Sequence, residues 1–205
     1  MLHIACCLWD VNDKSLPNSR CYDESWVEKL YRGFVRNLTL PFRFVCFTDR
    51  DRYFDGPIEQ ERLEAKVPHY GCLIEPFKLN EPMMICGLDT VILQNVDHMA
   101  RYCLEGERIA VPRHPSLPGV TINPIVFVPR GHRRVFDEWR GENDMEWIGR
   151  QDPLHTDTMW PGEILSLKLH DVRRKGTQGA RIVYFHGDPK PPSLMHLGWV
   201  KENWV

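Results

Sequence analysis

The chain has 205 residues, 42% hydrophobic and 11% aromatic, which is enough for one substantial core and short of two independent ones; a single domain over 1–205 is expected. Charged residues make up 26% of it and nearly cancel to a formal net charge of -2, which excludes a global basic field for nucleic acid or anionic lipid. No apolar run approaches membrane-spanning length, and 1–8 lacks the basic start and cleavage site of a secretory signal, so a cytoplasmic protein is expected.

Residues 3–9 are a short apolar run that stops at the polar, turn-rich stretch 10–19, the pattern of a buried strand ending in a loop. Over 24–37, Trp26, Val27, Leu30, Tyr31, Phe34 and Val35 recur at helical spacing, with Asp23 or Ser25 at hand as a cap. Residues 42–48 follow Pro41 as a second strand ending at Thr48-Asp49, and strand, helix, strand opens a parallel α/β sheet flanked by helices. Residues 83–86 are the next strand, running through Gly87-Leu88-Asp89-Thr90 into apolar 91–93, so a carboxylate interrupts an apolar segment. Residues 109–111 and 125–128 read as strands divided by the Pro- and Gly-rich loop 112–119, and 135–139 as a helical turn. Residues 180–185 are the last strand, which delivers His186-Gly187-Asp188-Pro189-Lys190-Pro191 at its carboxyl end. The tail 197–205, with Trp199 and Trp204, is expected to fold back on the domain.

The seven cysteines, Cys6, Cys7, Cys21, Cys46, Cys72, Cys86 and Cys103, are odd in number and form no CxxC pair, so they read as reduced core residues. Cys6 and Cys7, adjacent in a strand, face opposite ways and suit neither a chelate nor a disulfide. Asn37-Leu38-Thr39 matches a glycosylation acceptor, a pattern without use where no secretion signal precedes it.

In open α/β sheets ligands gather beyond the carboxyl ends of strands, where this chain places Thr48-Asp49, Asp89 and His186. An unpaired carboxylate among apolar flanks is costly, and a divalent ion would compensate Asp89. Gly187 and the prolines around it allow a phosphate close to the backbone, and Lys190 supplies a point charge for it. Imidazole, carboxylate and phosphate oxygens together suit manganese or magnesium.

With those residues in view, the chain resembles a GT-A fold glycosyltransferase related to glycosyltransferase family 8, especially its small bacterial and bacteriophage members. The second residue of that family's Asp-X-Asp signature falls in a segment resembling Gly87-Leu88-Asp89-Thr90-Val91-Ile92, and its C-terminal metal and diphosphate motif resembles 186–191. Residues 26–38 and 41–49 are similar to its N-terminal nucleotide-binding half. The resemblance implies that Asp89 and His186 hold the metal and that Gly187 and Lys190 contact the diphosphate. It implies a nucleoside pocket lined by Leu8, Trp9, Thr48 and Leu88. Asn123, in Ile122-Asn123-Pro124, becomes a candidate sugar ligand, and Asp144 a candidate for donor orientation or acceptor binding. The activity implied is transfer of a sugar, with retention, from a nucleotide diphosphate donor to a hydroxyl acceptor: a saccharide, a protein side chain or a modified DNA base.

The chain departs from the family pattern at Gly87, where the first Asp of the signature stands, at Met145, where a Gln is expected, and at Leu73, where a Lys often precedes the signature. With one metal ligand lost, two protein ligands, phosphate oxygens and water still fill an octahedral shell. The alternative reading is a noncatalytic nucleotide-sugar or glycan-binding module of the same fold. Nucleotidyl transfer is a weaker third, because the Gly-rich loop it uses after the first strand is missing between Leu8 and Ser19.

Plainer roles stand beside these. An Asp after a strand commonly caps a turn, and a His before Gly in a Pro-rich turn is usually structural. His155-Thr156-Asp157 imitates a catalytic pair, but the strained Ser turn of a hydrolase is absent and the segment is expected at the surface. Arg173-Arg174-Lys175 reads as a solvated face, while Trp139, Trp147 and Trp160 either fill core or stack on a sugar or base.

Overall fold

Every residue of Leu2–Leu8 is buried, as in a strand covered on both faces, and this segment forms β1 near the middle of a seven-stranded sheet. The protein is described here by a computed structural model covering residues 1–16, 18–117 and 119–205; Pro17 and Pro118, in the loops expected at 10–19 and 112–119, lie outside the described residues. β1 is followed by β2 (Phe42–Thr48), β3 (Ile58–Arg62) and β4 (Met83–Cys86), which run parallel in the order β3-β2-β1-β4. β5 (Thr90–Ile92) leaves this sheet. Beyond β4 the sheet continues through β6 (Ala110–Val111), β7 (Ile125–Val128) and β8 (Leu154–His155), with β7 antiparallel between β4 and β6 and β8 parallel to β6 at the edge.

β9 (Ile164–Ser166) and β10 (Ile182–Tyr184) join β5 in a second, three-stranded sheet of order β5-β10-β9. The last strand expected from the sequence is therefore not a member of the central sheet. It meets β5 antiparallel, with Tyr184 opposite Thr90, and the Phe185 amide donates to the Asp89 carbonyl at 2.9 Å. This pairing sets position 186 beside position 89 across a long stretch of chain.

Helices cover both faces of the central sheet. α1 (Glu24–Asn37) starts where the Asp23 carboxylate accepts from the Ser25 amide at 3.0 Å, and buries Trp26, Val27, Leu30 and Phe34 toward β1 and β5. Val35, counted with that apolar face from its spacing, is exposed. α2 (Asp97–Glu105) packs on the same side against β1, β4 and β7. The opposite side carries a run of 3-10 turns at Tyr70–Leu79, together with α3 (Arg134–Asp137) and α4 (Asp144–Gly149). The result is two apolar layers, with Cys6 in one and Cys7 in the other.

Shorter helices follow: α5 (Thr156–Met159), α6 (Val172–Lys175) and α7 (Gly198–Asn203). The tail folds back as expected, its Trp204 ring edge-on to Trp26 with centroids 5.1 Å apart. Six cysteines are buried and free, but Cys21 is exposed, against the expectation of a core residue. It lies in the 3-10 turn Asn18–Cys21, ahead of the apolar face of α1.

Candidate functional site

A cavity of about 510 Å³ opens beyond the carboxyl ends of β1 and β4, within the size range of small-molecule sites. Leu8, Trp9 and Leu88 contribute apolar wall; Asp89, His186, Gly187 and Lys190 line it from the β5–β10 junction; Asn123 and Asp144 line it from the loop before β7 and the start of α4. Gly87, Leu73 and Met145, the departures from the family pattern, border the same space.

Asp89 already has partners. Its Oδ2 accepts from the Tyr22 hydroxyl at 3.0 Å and forms an ion pair with the Lys190 ammonium, both side chains of the pair being mostly buried. Lys190 also donates to the Phe185 carbonyl at 3.2 Å and lies 5.4 Å from the centre of the Tyr22 ring. Burial, reinforced by the Asp89 charge, pushes the Tyr22 hydroxyl far above its ordinary range, so Tyr22 stays a donor. His186 Nδ1 sits 3.2 Å from the Ser166 hydroxyl, and burial together with the Lys168 charge holds the imidazole below its ordinary pKa, hence neutral near pH 7. Gly187 adopts φ +59, a conformation other residues rarely take, and a Cβ there would lie 3.1 Å from the Lys168 ammonium.

Asp89 and His186 thus share the cavity, yet the donor set does not fit a resident divalent ion. One carboxylate oxygen is held by an ammonium and a hydroxyl, and an adjacent ammonium repels a second cation. Gly87 offers no ligand where a Cβ would stand 3.1 Å from Asp89 Oδ1. Among the described residues no group of three His, Cys, Asp or Glu side chains gathers as metal ligands. Manganese and magnesium favour six oxygen-rich ligands, and at this end of the cavity the described residues offer Asp89 Oδ1 and the His186 imidazole alone.

On the opposite wall the Asn123 amide donates to Asp144 Oδ2 at 2.6 Å. Asn143 fixes this wall by capping α4, its side chain accepting from the amides of Met145 and Glu146. Asp144 is only 4% exposed, and burial raises its pKa above the usual carboxylate value despite the Asn123 bond. Because the folded pKa exceeds the unfolded one, Asp144 favours folding fully below about pH 3.9, and that contribution is lost as pH rises through the folded pKa. Asp144→Asn cannot titrate, so its melting temperature relative to wild type should climb between acid and neutral pH. Paired thermal unfolding across that range checks this, and a flat difference would refute it.

Thr48 departs from its expected role. It does not line the cavity; it is buried, and its hydroxyl accepts from Arg52 Nε at 2.7 Å. Arg52 also binds Asp10 at 2.8 Å, Asp49 at 2.7 Å and Glu24 at 2.8 Å, a clamp that closes off the end of β2 and leaves the ligand space over β1 and β4. The 155–157 segment is likewise not simply surface: Thr156 is buried, and Asp157 accepts from Arg113 Nε at 2.9 Å. Arg173, Arg174 and Lys175 are exposed as expected. Trp139, Trp147 and Trp160 line neither this cavity nor the hollow described next; Trp160 packs on Tyr102 and Phe127, and the indole nitrogens of Trp139 and Trp147 donate to Glu142 and Val135 carbonyls.

A smaller hollow of about 350 Å³ adjoins the first, sharing His114 and Tyr184 and lined further by Arg113, Asp157 and His170. Sequence reasoning missed Tyr22, Ser166, Lys168 and His114. Tyr22 had one signal, an aromatic residue in a polar stretch before a helix cap; Lys168 had none. No family model matches the chain, and no curated protein matches it. Among the described residues no helix is long and apolar enough to cross a membrane.

Proposed function

We propose that this chain is a glycosyltransferase that moves a sugar from a nucleotide diphosphate donor to a hydroxyl acceptor, with retention. The observation that carries the reading is the meeting of four chain-distant segments, around Trp9, Asp89, Asn123 to Asp144, and His186 to Lys190, on one cavity at the carboxyl ends of parallel strands. The base sits against Leu8, Trp9 and Leu88, where the Trp9 ring is braced edge-on by Tyr70 with centroids 6.1 Å apart. The diphosphate lies along Gly187 toward Lys190, and the sugar turns toward Asn123 and Asp144. As the acceptor oxygen bonds to the anomeric carbon, the bond to phosphate breaks and its electron pair stays on the phosphate oxygen. That oxygen takes the acceptor proton, so no separate base is required. Lys190 stabilises the charge that builds on the leaving diphosphate. The acceptor enters through the hollow beside His114 and Tyr184, and its class is a saccharide, a protein side chain or a modified DNA base. The buried thiols suit a reducing, cytoplasmic setting for the reaction.

A noncatalytic nucleotide-sugar-binding module is the second reading, favoured by the engagement of Asp89 with Lys190 and Tyr22 and by the apolar Leu73 and Met145 on the wall. Incubation with a panel of nucleotide sugars, with and without manganese, separates the two. Release of free nucleoside diphosphate that is lost in Asp89→Ala supports the transferase. Tight donor binding without turnover across the panel supports the module, and neither binding nor turnover refutes both.

A further inference from the structure

We propose that the ammonium groups of Lys190 and Lys168, in place of a divalent cation, neutralise the diphosphate at this site. The inference rests on the nucleotide-sugar reading and specifies how that site handles charge. The two lysines approach the same turn from different elements. Lys190 follows the Gly187 turn and reaches back to Asp89 and the Phe185 carbonyl. Lys168 comes from the loop after β9, and its ammonium would stand 3.1 Å from a Cβ at Gly187. A phosphate drawn against the bare Gly187 backbone would therefore meet the Lys168 ammonium there, with Lys190 lining the same cavity.

The ion pair explains how the site stays neutral before a donor arrives. Lys190 is mostly buried, and an isolated ammonium there would be costly; Asp89 balances it. When diphosphate enters, the three donors of an ammonium can hold a phosphate oxygen and the carboxylate together. In this arrangement Asp89 orients Lys190, and Tyr22 orients Asp89 by donating to the same carboxylate oxygen at 3.0 Å. A divalent ion would have to compete with Lys190 for the same carboxylate, with Gly87 supplying no second one.

Isothermal calorimetry with a panel of nucleoside diphosphates, each titrated in EDTA and again in excess manganese, tests the proposal on the full chain. Binding in EDTA that manganese tightens by less than about tenfold is expected. Lys190→Ala and Lys168→Ala should each weaken it roughly 10- to 100-fold, the loss of one charge-assisted hydrogen bond. Lys190→Arg should retain more affinity than Lys190→Ala, and Arg173→Ala, an exposed charge on α6, should match wild type. Lys168 is exposed, so its variant reports on binding even if Lys190→Ala fails to fold. Binding only with manganese, or unchanged affinity in Lys168→Ala, overturns the inference and leaves the nucleotide-sugar reading standing. Absence of binding in both buffers overturns the two together.

Discussion

Arg52→Ala should unfold below wild type, by about 2–3 kcal/mol, the loss of one buried guanidinium that several partly exposed carboxylates share. For a chain of this length that corresponds to a fall of roughly 4–12 °C in the unfolding midpoint. The Arg52 side chain is 2% exposed and satisfies Asp10, Asp49, Glu24 and the Thr48 hydroxyl at once. These groups belong to the end of β1, the end of β2 and the start of α1, so the guanidinium ties together the elements that frame one side of the cavity. Without it, three carboxylates that are 57%, 32% and 21% exposed at Asp10, Glu24 and Asp49 are left without their shared cation, and water screens part of their repulsion. Arg52→Lys keeps the charge but not the planar fork, and should recover only part of the loss. Acid should erode the same clamp: Arg50 and then Arg52 hold Asp10 below its ordinary pKa, so its contribution is present above the unfolded value and lost as pH falls through the folded one. Thermal or denaturant unfolding of the two variants measures this, and an Arg52→Ala protein as stable as wild type would refute the clamp.

Lys190→Ala should lower the rate of donor cleavage by about 10²–10³-fold, the usual effect of losing one preorganised donor at a developing negative charge. The Lys190 side chain is 13% exposed, its ammonium held by Asp89 and the Phe185 carbonyl, and so it needs no rearrangement as charge grows on the leaving diphosphate. Because that charge is larger in the transition state than in the bound donor, kcat should fall more than KM rises. Lys190→Arg should fall between wild type and Lys190→Ala. Steady-state kinetics with whichever donor the panel identifies gives the split. An unchanged kcat in Lys190→Ala would remove Lys190 from the chemistry, while the unfolding midpoint of the variant shows whether Asp89 tolerates losing its partner.

Much of the fold was readable because its signals are local. β2, β4 and β7 are short apolar runs bounded by turn residues, and α1 has an amphipathic stripe and a capping Asp. β3 was not readable: Ile58–Arg62 has one buried residue followed by Glu, Gln, Glu and Arg, and only its edge position against β2 makes it a strand. The 3-10 run Tyr70–Leu79 contains Pro76 and follows neither helical nor strand spacing. α2 carries only Met99, Ala100 and Cys103 as buried residues, a stripe too thin to stand out among its charges.

The candidate site divides in the same way. The sequence by itself determined which residues are chemically conspicuous: a carboxylate between apolar flanks at Asp89, and an imidazole, a glycine and an ammonium in the turn 186–190. It could do so because burial cost and turn chemistry are properties of a residue and its near neighbours. Only the tertiary structure decided their partners. The antiparallel meeting of β5 with β10 brings Asp89 to His186 and Lys190, and the Arg52 clamp takes Thr48 away from the cavity. Pairings across such distances in the chain depend on strand register and on which charged groups the folded chain holds within reach of a buried oxygen, and neither is written in the spacing of residues along one segment.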